Sequence, residues 1–205
     1  MMADNGSPFP LQTELNLPSW VAGFLQAGPA LFPKNEQRLE LVLELTRRHV
    51  EHGSGGPFGA AIFETVSGRL VAVGVNRVEP LNSSLAHAEI MAIALAQKRL
   101  ARFDLGSDLH HPHQLVSSAQ PCIMCFGATL WSGVTDLVFG ALSSDVEKIL
   151  GFDEGPVPSD WQAELTRRGI TVTGGLQRDQ AVAILHDYRQ KSGLIYNSRR
   201  GFQHP

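Results

Sequence analysis

Two apolar strands with a helix between them restrict the fold of this chain more than any other feature of its sequence. "HQLVSSA" at 113–119 and "TDLVFGA" at 135–141 are short runs with strand character, and "PCIMCFGATLWSG" at 121–133 separates them as a helix. A strand, a helix and a second strand in this order are typical of an α/β fold, in which the helix packs back onto the sheet. The sequence therefore predicts an α/β domain.

Further strands and helices can be assigned around this unit. "AAIFET" at 60–65 and "LVAVGV" at 70–75 predict an antiparallel hairpin with a tight turn at Ser67-Gly68. "ITVTG" at 170–174 predicts a fifth strand, and a helical crossover before it predicts that this strand runs parallel to strand four. Four more helices are expected, the first with Asn35 as its N-cap, over 35–53, 86–97, 159–169 and 178–191.

The length of the chain sets the number of domains. At 205 residues it has room for one α/β domain with a complete core and falls short of the usual size for two. Residues 1–34 are rich in Pro, Gly and Asn, and we interpret them as an N-terminal extension laid against a domain that covers 35–205. Within that domain, 142–158 shows no clear element.

Composition and charge narrow the classes of function. The sequence is 43% hydrophobic and 18% charged, which is typical of a soluble protein. Its net charge of -3 gives no basic field of the kind that nucleic-acid binding needs, so a nucleic-acid partner is disfavoured. The apolar run "WVAGFLQAGPALF" is too short and too broken by Gly and Pro to span a membrane. We therefore expect no membrane association and a cytoplasmic location.

The cysteines indicate a metal site. Cys122 and Cys125 are the only two, and with Pro121 opening a helix both thiols face one side of its first turn. The positive end of the helix dipole favours the thiolate, which is the form that binds metal. His87, at the start of the helix over 86–97, can supply a third ligand. One His and two Cys form a zinc-type set that leaves a fourth position for water, so we expect one catalytic Zn²⁺ per subunit.

A carboxylate lies beside this predicted metal site. Zinc lowers the pKa of its bound water toward roughly 7, which makes hydroxide available as a nucleophile at neutral pH. The proton of that water needs an acceptor, and Glu89, two residues from His87, is the nearest carboxylate in the sequence. We predict that Glu89 is the catalytic proton shuttle, provided that both side chains reach a ligand near the helix end.

The pattern H-x-E followed by P-C-x-x-C resembles that of the zinc-dependent cytidine and deoxycytidylate deaminase superfamily. Within it, the sequence is most similar to the guanine deaminase branch, on the motifs "GGPFGA", "NRV", "AHAEI", "PCIMCFGA" and "GFDEGP". The resemblance runs from about 55 to 155 and more weakly to the C-terminus. It implies a three-layer α/β/α sandwich around a five-stranded mixed sheet, and a homodimer. The activity that it implies is the hydrolytic deamination of guanine to xanthine and ammonia.

The same resemblance assigns substrate contacts. Asn76 matches the asparagine that binds the base, and Ala60 and Ala88 would offer backbone groups to the ring. A second carboxylate that contacts the purine maps to Asp153 or Glu154, of which we favour Glu154. The remaining matches are aromatic: Phe58 and Trp131 as pocket walls, and Tyr196 as a stacking residue in a tail, 192–205, that covers a site as a lid or is swapped to the partner.

Other functions share these motifs. Guanosine, cytosine or an aminotriazine such as ammeline would need the same chemistry in a pocket of different size. Deamination of adenosine in tRNA would also use it but would need a basic rim, which the net charge disfavours. A catalytically silent zinc module is a non-enzymatic alternative, against which the intact Glu89 argues. We interpret "HHPH" at 110–113 as a polar surface loop without a ligand role.

Overall fold

The central sheet has five strands and a mixed topology. In the computed structural model, which describes residues 9–198 and the backbone of 201–203, the strand order is β2-β1-β3-β4-β5. β1 pairs antiparallel with both β2 and β3, whereas β3, β4 and β5 run parallel. This confirms the predicted sheet, including the parallel fifth strand. The strands are β1 (Gly59–Glu64), β2 (Leu70–Val75), β3 (His113–Ala119), β4 (Asp136–Ala141) and β5 (Thr171–Thr173).

Helices cover both faces of this sheet. They are α1 (Trp20–Ala27), α2 (Asn35–Glu51), α3 (Ala88–Leu100), α4 (Ile123–Ser132), α5 (Ser143–Leu150), α6 (Trp161–Arg167) and α7 (Arg178–Gln190). One core forms between the sheet and α1, α2, α5 and α7, and a second forms between the opposite face and α3, α4 and α6. The two cores make the predicted three-layer α/β/α sandwich. None of the described helices is both long and apolar enough to cross a membrane.

Strand β1 shows how the sequence divides its apolar side chains between these cores. Successive side chains of a strand point to opposite faces of the sheet. Ala61 and Phe63 accordingly lie in the core with α2, and Ala60 and Ile62 lie in the core with α3. All six residues of β1 are buried, as expected for a strand with helices on both sides.

Part of the N-terminal extension packs against the domain. Val21 of α1 and Phe32 are buried in the first core. The Phe32 amide donates to the Gly68 carbonyl at 2.8 Å, in the turn between β1 and β2. Parts of 9–34 are therefore in contact with the sheet and its helices, and residues 1–8 lie outside the described part of the chain.

The structure differs from the sequence prediction in several places. α2 begins at Asn35, so Lys34 rather than Asn35 is the residue before the helix. α5 occupies part of 142–158, where no element was predicted; at eight residues it is too short to show periodicity. Asp145 supports its start by accepting the Leu142 amide at 2.9 Å. Two short strands at the C-terminus, β6 (Ile195–Asn197) and β7 (Gly201–Gln203), form a hairpin that the sequence did not indicate.

The "HHPH" segment also divides differently from the prediction. His110 and His111 are exposed, as expected of a surface loop. His113 begins β3, as the strand predicted over 113–119 requires, but it is 2% exposed rather than at the surface, and it hydrogen-bonds through Nδ1 to the Leu105 carbonyl at 2.8 Å. Its burial gives it a structural role within the sheet.

Candidate active site

Two helix N-termini meet at the predicted metal ligands. His87 is the residue before α3, and its carbonyl accepts the first helical hydrogen bond, from Met91, at 2.9 Å. Cys122 is the corresponding residue of α4, and its carbonyl accepts from Phe126 at 2.7 Å. Cys125 lies in the first turn of α4. Pro121 is therefore outside the helix that it was predicted to open, but the two thiols still face one point.

The three side chains are spaced as zinc ligands are. His87 Nδ1 lies 3.5 Å from Cys122 Sγ and 3.6 Å from Cys125 Sγ. Zn–N and Zn–S bonds of roughly 2.0 and 2.3 Å at a tetrahedral angle separate N and S by about 3.5 Å. All three ligand atoms lie within 4.8 Å of one another. The donor set and its geometry fit a Zn²⁺ ion, with His87 bound through Nδ1.

A glycine in β2 allows α3 to lie close enough to the sheet to bring His87 to this point. A Cβ atom at Gly74 would lie 2.0 Å from the Ala88 carbonyl oxygen and 2.5 Å from the Ala92 amide nitrogen. Any side chain at this position would push the first turn of α3 away from β2. Gly74 of β2 therefore sets the distance between the sheet and the end of α3 that carries His87.

The electrostatics of the cluster favour one thiolate. A hydrogen bond from the Cys125 thiol, and then one with His87, hold the pKa of Cys122 far below its ordinary value. The hydrogen bond to Cys122 and burial raise the pKa of Cys125. The positive ends of α3 and α4 add to the stabilisation of negative charge here. The surroundings of the cluster thus favour the thiolate, which is the form that binds metal, on at least one sulfur.

Glu89 lies beside the three ligands and is shielded from solvent. Its side chain is 6% exposed, in the first turn of α3, and it lines the same cavity as His87 and Cys122. Burial is the main cause of its raised pKa, and the negative charge of Cys122 adds to it. A buried carboxyl group with a raised pKa is suited to both taking up and releasing a proton.

A cavity of about 570 Å³ opens above this cluster. That volume is within the range of small-molecule sites. Predicted residues that line it, besides His87, Glu89 and Cys122, are Phe58, Asn76, Asp153, Glu154 and Tyr196. The structure thus brings together side chains from loops and strands that are up to 138 positions apart in the chain, counted from Phe58 to Tyr196.

Asn76 follows β2 and is almost completely buried, at 1% exposure. Its side-chain Oδ1 accepts from the amides of Gly56 at 3.4 Å and Val78 at 3.3 Å. Because these donors identify the oxygen, the amide nitrogen is the remaining polar group of the side chain. The Tyr196 side chain is also hydrogen-bonded to that of Asn76.

The two candidate second carboxylates differ in environment. Asp153 is exposed, and its Oδ1 accepts the Gly155 amide at 3.0 Å within the same loop. Glu154 is only 9% exposed, and burial raises its pKa to about 9. Its carbonyl accepts the Ile123 amide at 3.0 Å, which ties the loop to the start of α4. Both residues line the cavity, but only the Glu154 carboxyl group is buried there, whereas Asp153 supports the turn.

Aromatic side chains form one wall of the cavity. The rings of Phe58 and Phe152 pack edge to face with centroids 5.5 Å apart, and those of Phe152 and Tyr196 with centroids 5.0 Å apart. Asn197 holds the tail in place, accepting the Asp153 amide at 2.9 Å and donating to the Gly151 carbonyl at 2.8 Å. Described tail residues thus lie over the cavity of their own chain.

Phe152 lines the cavity but was not singled out in the sequence interpretation. It lies inside the motif "GFDEGP", in which only the two acidic residues were singled out. Its central place between Phe58 and Tyr196 depends on contacts across the fold. The one sequence signal for this position is that an aromatic residue directly precedes the two predicted carboxylates.

Three predicted contacts are not at the cavity. Trp131 is 87% exposed and sits near the C-terminal end of α4, about 12 Å along the axis from Ile123. The cavity faces the opposite end of that helix, so its assignment as a pocket wall is corrected. Ala60 pairs with Gly74 and Ser117 in the middle of the sheet, and Ala88 packs in the second core. Neither alanine is among the residues that line the cavity.

Comparison with known proteins identifies a matching family and several relatives. The profile of the cytidine and deoxycytidylate deaminase zinc-binding region matches residues 33–141. The guanine deaminase of Bacillus subtilis is 35% identical over 120 residues, which cover 58% of this chain and 72% of that protein. A tRNA-specific adenosine deaminase of Buchnera aphidicola is 33% identical over 140 residues, which cover 68% of this chain and 84% of that protein.

A solved structure resembles the whole domain. The guanine deaminase from Nitrosomonas europaea is 47% identical and superimposes with a TM-score of 0.82. The match covers 89% of this chain and 98% of the other. The likeness therefore extends well beyond the ligand-bearing motifs.

Proposed function

Because this chain belongs to the cytidine and deoxycytidylate deaminase zinc-binding family, and is thus a hydrolytic deaminase, we propose that its substrate is guanine, with xanthine and ammonia as products. Water adds to the ring carbon that bears the exocyclic amine, and the bond from that carbon to the amine breaks. The observation that carries the proposal is the pair of buried carboxyl groups, Glu89 and Glu154, in one cavity with the three-ligand cluster.

Glu89 is the proposed proton carrier. It takes a proton from the attacking water and delivers it to the nitrogen that leaves as ammonia. Its place in the first turn of α3 puts its carboxyl group beside the ligands and inside the cavity. Its burial keeps competing water away, and its raised pKa suits transfer in both directions.

His87, Cys122 and Cys125 are the residues that hold the zinc ion. When bound, zinc supplies an acidified water near neutral pH. Three protein ligands are what a catalytic zinc site provides, since a purely structural site has four.

Base recognition is assigned to Asn76, Glu154 and the aromatic wall. The Asn76 side chain can donate through its amide nitrogen. The Glu154 carboxyl group, with a pKa of about 9, is protonated at pH 7 and can both donate and accept hydrogen bonds. A purine presents both kinds of group around its edge. The Phe58, Phe152 and Tyr196 rings supply flat apolar surface against its faces.

A free base fits the surroundings better than a base within RNA. Tyr196, Asn197 and Ser198 of the chain's own tail form part of the cavity wall. A wall of this kind leaves less room for the neighbouring nucleotides of a polynucleotide. The net charge of -3 also lacks the basic surface that would hold phosphates.

We further propose that the protein is a cytoplasmic homodimer. Reduced thiols are needed at the metal site, and the cytoplasm keeps them reduced. Trp131 and Phe103 are 87% and 85% exposed, and the Leu105 amide donates to the Ser132 carbonyl at 2.8 Å, which brings their two segments together. Large exposed apolar side chains on adjoining segments favour self-association.

Ammonia release tests the substrate. The zinc-loaded protein is offered guanine, guanosine, cytosine, ammeline and an adenosine-containing tRNA hairpin under one set of conditions. We expect guanine to give the highest kcat/KM by at least about 10²-fold, since a mismatched buried polar edge costs a few kcal/mol. Preferential turnover of any other compound would contradict the proposal while leaving the family unaffected.

A further inference from the structure

A chain of hydrogen bonds connects the N-terminal helix to Asn76. Trp20 Nε1 of α1 donates to Ser54 Oγ at 3.2 Å. Ser54 Oγ lies 2.7 Å from His49 Nδ1, and His49 Nε2 lies 2.8 Å from the main-chain carbonyl oxygen of Asn76. His49 has no exposed surface. A buried histidine thus joins a residue of the cavity to a helix that precedes the domain.

Every hydrogen bond in this network is donated in the same direction along it. A carbonyl oxygen only accepts, so His49 Nε2 carries the hydrogen. Burial lowers the pKa of His49 to about 4, and the neutral ring then has an acceptor at Nδ1. Ser54 donates its hydroxyl to Nδ1 and accepts the Trp20 indole N–H. Each hydrogen-bonding group has a partner, and each bond polarises the next group, so the bonds strengthen one another.

We propose that Trp20, Ser54 and His49 are positioning residues that fix the backbone of Asn76 and thereby aim its carboxamide into the cavity. This rests on the proposed function insofar as Asn76 binds the base. It gives α1, in a segment outside the family's matched region at 33–141, a role in substrate affinity.

The main chain around Asn76 is held from two sides. Its amide donates to the Phe58 carbonyl at 3.0 Å, and its carbonyl accepts from His49. Gly55 crosses directly over the second bond: a Cβ atom there would lie 2.0 Å from the Asn76 oxygen and 2.8 Å from His49 Nε2. Its φ of +152° also disfavours a side chain. The path of the chain thus accommodates the His49 contact.

Trp20 is the residue through which α1 reaches this network. Its ring stacks on His52 with centroids 4.9 Å apart and packs edge to face on Phe24 at 6.3 Å. The stacking sets the position of the indole N–H toward Ser54. Replacing Trp20 by Phe removes that donor while keeping an aromatic ring at this position.

Four variants of the full-length zinc protein test the proposal. Trp20→Phe removes the first donor, Ser54→Ala removes the middle link, and His49→Phe removes both ring contacts while keeping a ring. His49→Gln is the conservative variant, since its amide can donate at the Nε2 position. The matched control is His113→Phe, which removes a buried histidine hydrogen-bonded to Leu105, away from the cavity.

The KM for guanine and hydrogen–deuterium exchange are the two readouts. We expect KM to rise about tenfold in Ser54→Ala and His49→Phe and about threefold in Trp20→Phe, which corresponds to the loss of one net hydrogen bond or less. We expect kcat and zinc content to stay near those of the wild type. In His49→Gln, KM should also lie close to the wild-type value. Exchange quickens in peptides that cover 54–58 and 76–78.

Several results would overturn the proposal. Unchanged KM in folded Ser54→Ala and His49→Phe proteins is one, and an equal rise in the His113→Phe control is another. If the wild type does not act on guanine, the proposed function fails but exchange in the free protein still decides on the network. If residues 76–78 exchange at the same rate in Ser54→Ala as in the wild type, the proposed positioning network is refuted independently of activity.

Discussion

The metal end of the cavity and its substrate wall are built in different ways. The ligands and Glu89 come from two short motifs, each at a helix N-terminus, so His87 with Glu89 and Cys122 with Cys125 are fixed by local geometry. The wall combines Asn76 after β2, the loop with Phe152 and Glu154, and Tyr196 from the tail. Its members meet only when the whole domain has folded. The proposed chemistry thus depends on local geometry, and the proposed recognition of the base depends on long-range packing.

Loss of a ligand should have the largest effect. Cys122→Ala removes one of three zinc ligands, so we expect loss of stoichiometric zinc and turnover below detection, since few groups could replace a thiolate at that point. Metal analysis after dialysis and an ammonia assay measure the two outcomes. Met124→Ala, which alters a neighbouring residue that lines the cavity, is the control and should keep its zinc. Stoichiometric zinc in Cys122→Ala would refute the ligand assignment.

Glu89→Gln should separate metal binding from proton transfer. The amide keeps the size of the side chain but cannot carry the proton, so kcat should fall by about 10² to 10⁴-fold while zinc is retained. Steady-state kinetics with metal analysis on the same sample provide the measurement. A variant that turns over at the wild-type rate would exclude Glu89 from the reaction.

Changes in the wall should be weaker and should affect specificity. Glu154→Gln places an amide where the buried carboxyl group is expected to contact the purine, and we expect kcat/KM for guanine to fall by roughly 10 to 100-fold with zinc retained. Asp153→Asn is the matched control; its carboxylate is exposed and used by Gly155, so a change of about threefold or less is expected. Reversed effects in the two variants would assign the second carboxylate to Asp153.

The same contrast explains what the sequence could predict. The apolar run of β1 and the helical periodicity of α2 are local signals, and they correctly indicated the elements and the sheet. His87, Glu89 and the two cysteines were predicted from two short motifs, and each motif lies at one helix end and so holds its own geometry. The choice between Asp153 and Glu154 depends on burial, which neighbouring residues in the sequence do not determine.

The errors have a physical origin as well. Trp131 follows Cys122 closely in the sequence, but a helix of ten residues carries it away from the cavity. Phe152 and the hairpin of β6 and β7 are defined by tertiary contacts and left no periodic pattern. His49 lies in the helix predicted over 35–53, and no sequence signal indicates that the fold places Asn76 and Ser54 against its ring.

The last prediction concerns stability rather than turnover. It tests whether the buried His49 beneath Asn76 makes the free energy of unfolding depend on pH. Burial lowers the pKa of His49 from 6.5 in the unfolded chain to about 4 in the folded protein. The unfolded state therefore takes up the proton first as pH falls. The stabilising contribution of neutral His49 is fully present above pH 6.5 and is lost progressively as pH falls to 4, by about 3 kcal/mol in total. Urea unfolding at pH 7.5, 6.0, 5.0 and 4.5 measures it. His49→Gln should flatten the slope in this window and His113→Phe should retain most of it, whereas equal slopes in the wild type and His49→Gln would show that the support beneath Asn76 does not depend on a neutral His49.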